Sequence, residues 1–339
     1  MKSYIFVLGR NPELSILELV SYFQKNNIEY KIKNQQKNFL LISLNKKPDI
    51  KELAGTIKIA EIIESLNNLP LKNKLTYYTI SQEINKKLKN IFKKEKIKAI
   101  FKQNFNSTKK LDLEILSINK KLALVTQVSN PKEYKLRDEN RPNFDDKKVT
   151  SIRLAKILIN LSQAKKEILD PFCGTGTILQ EALLKNLKVI GMDKNIEEAK
   201  TNLDWLSKRY KTPTYKLIHG NSIFLSQQVK SVECVVTEPY LGPYLKKYPS
   251  PQEAKKIIDE LEILYTKTLK EISKIVTDKI VIIVPIIKTR NSLVRFNFLN
   301  ILKQANLKWI SFKGVKQPIL YKTRNNKVIR EIWVLEKLK

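Results

Sequence analysis

The first third of the chain alternates between apolar runs and amphipathic stretches. SYIFVLG reads as a strand, and PELSILELVSYFQKN as a helix with Leu14, Ile16, Leu17, Leu19 and Val20 available for one face. NFLLISLN is a second strand, and DIKELAGTIKIAEIIESL reads as a helix, a glycine break and a further apolar element. In TYYTISQEINKKLKNIFKKEKIKAIFKQ the spacing of Ile84, Leu88, Ile91 and Phe92 predicts a helix, with a strand at KAIFKQ. LDLEILSI and KLALVTQVS predict two more strands, so this part is expected to form small α+β modules with mixed sheets.

The next stretch, NPKEYKLRDENRPNFDDKK (130–148), is polar, charged and carries two prolines, which predicts a linker and places a domain boundary between 148 and 149. TSIRLAKILINLS then predicts a helix, capped by Thr150 or Ser151, with Leu154, Ile157, Leu158 and Leu161 on one face. Strand and helix patterns alternate from EILDPFC through KIVIIVPII, which predicts a parallel sheet with covered faces. The end differs: WISFKGVKQPILYK and KVIREIWVLEKL flank TRNN and predict an antiparallel hairpin.

Composition narrows the partners. The chain has 339 residues, with 64 Lys and Arg against 33 Asp and Glu, for a formal net charge of +31. A polyanion (RNA, DNA or an anionic membrane) suits such a charge, although an AT-biased genome would also enrich lysine. Two cysteines and one histidine offer neither a disulfide framework nor a zinc site, so no metal is expected. The N-terminal apolar stretch is too short for a signal peptide and no run is long enough to span a bilayer, so a soluble, cytoplasmic protein is expected.

The chain has eight glycines, and Gly174, Gly176, Gly191, Gly220 and Gly242 follow expected strands or lie near their ends. Ligands of open α/β sheets bind at the carboxyl ends of strands, so this spending of glycine points to a site there. In LDPFCGTGTILQEAL a dinucleotide fingerprint would want Gly or Ala at position 179, which is Leu. Asp170 beside that loop would repel a pyrophosphate and suit a cation, which points to S-adenosylmethionine, with Asp170 near its ammonium group and Phe172, Gly174 and Gly176 around the methionine part. Asp193 in GMDKN suits ribose hydroxyls or a helix N-cap, and Asn221 in HGNSI suits the adenine amino group or a turn cap. Cys173 has no base nearby and reads as packing, and His219 as a strand-end residue.

The segments DPFCGTGTILQEAL, GMDKN and TEPYLGP together resemble class I S-adenosylmethionine-dependent methyltransferases that modify an amino group. YKLRDENRPNFDDKKVTSIRLAKILINLS, YIFVLGRNPELSILEL and LAGTIKIAEII resemble the THUMP-domain tRNA methyltransferases of the archaeal and eukaryotic guanosine-10 N2 family. The resemblance implies ferredoxin-like and THUMP modules over 1–148 that grip tRNA. It implies a Rossmann-like seven-stranded methyltransferase sheet over 149–339, ordered 3-2-1-4-5-7-6 with strand 7 antiparallel. It implies methyl transfer from S-adenosylmethionine to the exocyclic N2 of a tRNA guanosine, position 10 by likeness. Another RNA, adenine N6, or a non-catalytic RNA-binding role are the alternatives.

The family's signature after strand four is Asp or Asn, Pro, Pro and an aromatic residue. Here Glu238-Pro239-Tyr240 stands in its place; without a gap Leu241 falls at the aromatic position, and with a one-residue deletion Tyr240 does. Glu238 and the Pro239 carbonyl are expected to accept the amine's N–H groups, and Tyr240 to stack on the base, which must leave its own stack. RNA contacts are expected from Lys102, Lys109 and Lys110 in the THUMP-like region and from Arg137, Arg141 and Lys147 in the linker, each of which could equally be a solvated surface charge.

Overall fold

The structure, a computed structural model, describes residues 1–102, 110–144, 150–312, 314–321 and 327–338. Contacts divide the chain into two units, Met1–Leu19 with Phe23–Glu133, and Tyr134–Lys339 with Val20–Tyr22.

The first unit holds β1 (Lys2–Leu8), α1 (Pro12–Lys25), β2 (Tyr30–Gln36), β3 (Phe39–Leu44), β4 (Thr56–Ile63), β5 (Lys74–Thr79), α2 (Gln82–Lys94), β6 (Lys98–Phe101), β7 (Leu113–Ile118) and β8 (Lys121–Val128). Among the described residues these strands form one continuous mixed sheet in the order β2-β3-β1-β4-β8-β7-β5-β6. β1 is a continuous apolar run because five successive residues, Tyr4 to Leu8, are buried, which an interior strand covered on both faces requires. α2 buries Ile84, Leu88 and Phe92 over the sheet and turns its lysines to solvent. Its Ser81 cap accepts from the Ile84 N–H, which fixes where the helix begins.

Two expectations change here. DIKELAGTIKIAEIIESL contains no α-helix: a single 3₁₀ turn at Ile50–Glu52 is followed by β4. The turn has its own backbone bonds, Glu52 N–H to the Asp49 carbonyl and Leu53 N–H to the Ile50 carbonyl, but beyond it the buried Glu18 carboxylate accepts from the Ala54 and Gly55 N–H groups at 2.9 and 2.7 Å, so a tertiary partner holds the backbone there and no helix continues. TYYT, merged with the following helix by pattern, belongs to β5.

The second unit holds α3 (Pro131–Asn140), α4 (Ile152–Ser162), β9 (Glu167–Asp170), α5 (Thr177–Leu184), β10 (Lys188–Asp193), α6 (Glu197–Arg209), β11 (Tyr215–His219), α7 (Leu225–Gln228), β12 (Cys234–Thr237), α8 (Pro251–Ile275), β13 (Lys279–Lys288), β14 (Leu293–Val294), α9 (Phe298–Gln304), β15 (Leu307–Trp309), β16 (Ile319–Tyr321) and β17 (Val328–Lys337). Its sheet runs β11-β10-β9-β12-β13-β17-β15, with β14 on β13 and β16 on β17. β9 to β13 pair in parallel, whereas β17 is antiparallel to both β13 and β15. Counted in chain order among the described residues, the seven strands of that path lie 3-2-1-4-5-7-6.

Central strands β12 and β13 are buried almost end to end, as their unbroken apolar runs dictate. α8 begins with a capping box between Ser250 and Glu253 and carries Pro251 in its first turn, so its start is written locally. It lays Ile258, Leu261, Tyr265, Leu269 and Ile272 into the core with Ile280, Ile282 and Trp333. The C-terminal hairpin is split: β16 pairs β17 as a hairpin does, but β15 pairs β17 as well.

The stretch read as a linker folds as α3 from Pro131 to Asn140, and contacts group Tyr134 onward with the second unit, so the division falls ahead of 148. The reason is a set of polar ties within the second unit. Arg137 pairs with Glu181 of α5 at 2.6 Å, and Arg141 donates to the Thr177 hydroxyl at 2.8 Å. Among the described residues no helix is long and apolar enough to cross a membrane.

Candidate active site

The carboxyl ends of β9, β10 and β12, neighbours in the sheet, deliver Asp170, Asp193 and Glu238. Asp170 is 2% exposed, and its Oδ1 accepts from the Thr237 hydroxyl at 2.7 Å and the Phe172 N–H at 3.1 Å. Burial pushes its carboxyl up to about 7; the Thr237 and Phe172 hydrogen bonds oppose the rise, and the charges of Asp193 and Glu238 add to it. Asp193 Oδ2 accepts from the Gly174 N–H at 2.8 Å and Oδ1 from the Asn195 N–H at 3.3 Å, so it ties the glycine loop to the end of β10. Asp193 is not the cap of α6; the residue preceding that helix is Ile196.

Gly174 and Gly176 take positive φ of 48° and 81° between β9 and α5. A Cβ on Gly174 would meet nothing within 4 Å, so the backbone borders open space beside Asp170 and Asp193. Gly191 has a different reason: it lies inside β10, where a Cβ would come within 2.5 Å of Leu179. Phe172 is half-buried, and Cys173 is buried with its thiol pushed up by burial, which suits packing and not nucleophilic attack. Asn221 caps the 3₁₀ turn Ser222–Phe224 by accepting from the Ile223 N–H. His219 bonds the Lys194 carbonyl through Nε2.

Glu238 is held on both sides. Oε1 accepts from Arg330 Nε at 2.5 Å, and Oε2 accepts from the Thr150 hydroxyl. Ser151, not Thr150, caps α4, so the two adjacent hydroxyls divide two tasks. Each carboxylate oxygen retains a further lone pair for another donor. Pro239 is buried and Tyr240 is 55% exposed, while the buried Tyr265 hydroxyl donates toward the Tyr240 and Ile283 carbonyls at 3.4 and 3.2 Å.

Three carboxylates therefore meet at one edge with one guanidinium among them. Among the described residues neither Asp170 nor Asp193 has a basic partner, so the edge is short of positive charge. S-adenosylmethionine, with a cationic amino group and sulfur, fits that deficit and the open space over Gly174. A pyrophosphate does not, because it would face the buried Asp170.

The arginines expected to touch RNA do not face solvent. Arg137 is 8% exposed and Arg141 4%, and both fasten the segment before α4 onto α5. Arg141 also lies 3.1 Å from Asp138 and 4.9 Å from the centre of the Phe144 ring. Burial and these partners take both guanidinium groups away from solvent, where a phosphate contact would need them. Lys102 and Lys110 are exposed; Lys109 and Lys147 lie outside the described residues.

Arg330, Thr237 and Asn202 escaped sequence reasoning, and Thr150 was read only as a candidate helix cap. Asn202 is fully buried in α6 and donates to the Thr175 and Asn143 carbonyls at 2.9 and 3.0 Å, joining the glycine loop to the segment before α4. A polar residue at an apolar helix position was its one sequence signal. Glu233, Cys234 and Asp278 bring metal-type ligand atoms within 4.8 Å of one another, but Glu233 is taken by the N–H groups of Lys165, Lys166 and Glu167.

A family described as RMKL-like, methyltransferase domain, matches residues 144–317, and a family described as DNA methylase matches residues 19–204. Both include the glycine loop and Asp193, but the second ends before Glu238. The chain is 35% identical over 116 residues to a tRNA (guanine(10)-N2)-dimethyltransferase of Pyrococcus abyssi, covering 33% of this chain and 34% of that protein. It is 36% identical over 111 residues to a protein of the same name from Methanothermobacter thermautotrophicus, covering 31% of each. The chain thus spans about a third of the length of these curated relatives. Among solved structures, TrmN from Thermus thermophilus shares the fold at a TM-score of 0.56, with 14% identity over 99% of this chain and 100% of that one.

Proposed function

The chain belongs to the RMKL-like methyltransferase family, and from that premise we propose that it transfers a methyl group from S-adenosylmethionine to the exocyclic N2 of a guanosine in tRNA. The observation that carries the reading is the edge where Asp170, Asp193 and Glu238 meet beside the open backbone of Gly174. Relatives named for guanine-10 N2 methylation support the choice of nucleotide and of position 10.

When bound, S-adenosylmethionine supplies an electrophilic methyl group on a positively charged sulfur. Asp170 holds the ammonium group, Phe172, Gly174 and Gly176 make room for the methionine part, Asp193 accepts from the ribose, and Asn221 meets the adenine. The guanine amine is a weak nucleophile because its lone pair is delocalised into the ring. Glu238 and the Pro239 carbonyl accept its N–H groups, which favours the pyramidal amine as charge develops. Arg330 and Thr150 fix the carboxylate so that no reorientation is needed at that moment. Tyr240, more than half exposed, stacks on the base once it has left the helix.

The first unit is the tRNA-gripping part of this reading, with ferredoxin-like and THUMP character and with Lys102 and Lys110 as phosphate contacts. A cytoplasmic location, where tRNA is met, belongs to it as well. Incubation of the purified protein with methyl-labelled S-adenosylmethionine and an unmodified tRNA transcript tests the proposal. Label is expected in the RNA, and its absence at saturating cofactor would refute transfer.

A further inference from the structure

The connection between β12 and α8 runs from Glu238 to Ser250 with no helix or strand, an unusual length for a link inside a compact unit. It is anchored: Pro239 and Pro249 are buried, and Leu245 packs against the core. Yet it leaves three tyrosines in solvent at four-residue intervals, Tyr240 at 55%, Tyr244 at 74% and Tyr248 at 37% exposure. A loop that buries two prolines and partly buries a leucine has the means to bury a ring.

The third ring is bracketed by charge. Lys288 Nζ lies 5.6 Å and Lys327 Nζ 5.9 Å from the centre of Tyr248. The backbone fixes the pair, because the Lys288 N–H donates to the Lys327 carbonyl at 2.7 Å. Among the described residues neither ammonium group has a carboxylate partner. Lys246 and Lys247, between Tyr244 and Tyr248, are exposed too. Two like charges held around one aromatic ring repel each other, and an anion entering between them relieves that cost. Exposed rings interleaved with unpaired ammonium groups match single-stranded nucleic acid, whose bases stack and whose phosphates pair.

We propose that Tyr244 and Tyr248, with Lys288 and Lys327, bind the unpaired nucleotides that flank the target base, the rings stacking on bases and the ammonium groups meeting phosphates. The inference rests on the nucleic-acid reading above and adds a binding surface to it. Stacking is indifferent to base identity, so this surface holds the strand open and leaves selection to the site beside Glu238.

The test uses the full chain with an unmodified tRNA transcript and a short single-stranded RNA. Tyr244→Ala and Tyr248→Ala are each expected to weaken binding of both RNAs by about 10-fold, with S-adenosylmethionine affinity unchanged. Tyr244→Phe is expected to restore binding, because the ring and not the hydroxyl does the stacking. Lys288→Ala combined with Lys327→Ala is expected to reduce the slope of log affinity against log salt by about 1 to 2. Wild-type RNA affinity in all these variants, including the case where the loop proves to be bound by a protein, overturns the inference. Loss of RNA binding in the tyrosine variants without any methyl transfer by the wild type would sink the enzymatic reading and leave this one standing. Methyl transfer with unchanged KM for tRNA in the tyrosine variants would do the reverse.

Discussion

Arg330 on β17 donates to Glu238 at the end of β12 at 2.5 Å, joining residues 92 positions apart in the chain. The Glu238 side chain is 10% exposed and that of Arg330 21%, so the pair is only partly screened by water. Arg330 therefore sets where the carboxylate points. Arg330→Ala is expected to lower kcat at least 10-fold and to cost about 1–3 kcal/mol of stability, with S-adenosylmethionine affinity unchanged. Glu238→Ala is expected to lower kcat by about 10²–10³-fold. Single-turnover kinetics beside calorimetric cofactor binding check both.

Asp170 is expected to make cofactor binding depend on pH. Its carboxyl titrates at about 7, raised from 3.8, so the native protein holds an extra proton between those values. Between those values the carboxyl ionises in the unfolded chain but not in the native one, so this group lowers the stability of the cofactor-free protein increasingly as pH rises through that window. An ammonium ligand favours the ionised form. Affinity for S-adenosylmethionine is thus expected to fall as pH drops below about 7, with about one proton released per cofactor bound near pH 6. Calorimetry in buffers of different ionisation enthalpy reads the proton directly. Asp170→Asn is expected to abolish the release.

The two kinds of glycine separate on substitution. Gly174→Ala forces a Cβ into a positive-φ position, at a cost of about 1 kcal/mol, and places a methyl group in the open space above the loop. A small fall in melting temperature with at least a 10-fold loss of cofactor affinity is expected. Gly191→Ala meets Leu179 and Leu217 at 2.5 and 2.8 Å, so it is expected to destabilise the fold by about 1–3 kcal/mol. Thermal unfolding with and without S-adenosylmethionine distinguishes the two.

Arg137 is expected to report on stability. Arg137→Ala leaves the fully buried Glu181 without its guanidinium, which is expected to cost about 3–5 kcal/mol. That corresponds to a melting-temperature fall of about 10 °C. Lys102→Ala, on an exposed residue, is expected to leave melting unchanged and to weaken tRNA binding in a salt-dependent way. Differential scanning calorimetry and binding titrations over salt check the contrast.

The placement of Asp170, Asp193 and Glu238 at strand ends was legible because each follows an apolar run, and the end of a run is a local property. Their partners were not. Thr150 and Arg330 lie 88 and 92 residues from Glu238, and sequence spacing carries no signal for such a meeting. Arg137 and Arg141 were misread because charge in a polar, proline-containing stretch looks like solvent exposure; only the tertiary partners Glu181 and Thr177 reveal burial. β2, with its sequence YKIKNQQ, was missed for a related reason. It lies at the edge of its sheet and is half-buried at most, so little hydrophobic pattern was required of it.

The identity of the methylated nucleoside tests the central claim most directly. Unmodified tRNA is treated with the purified protein and S-adenosylmethionine, digested to nucleosides and read by mass spectrometry. N2-methylguanosine or N2,N2-dimethylguanosine, lost when guanosine 10 of the transcript is replaced by adenosine, is the result this account predicts. N6-methyladenosine, or unmodified nucleosides from a protein that binds cofactor and tRNA, would contradict it.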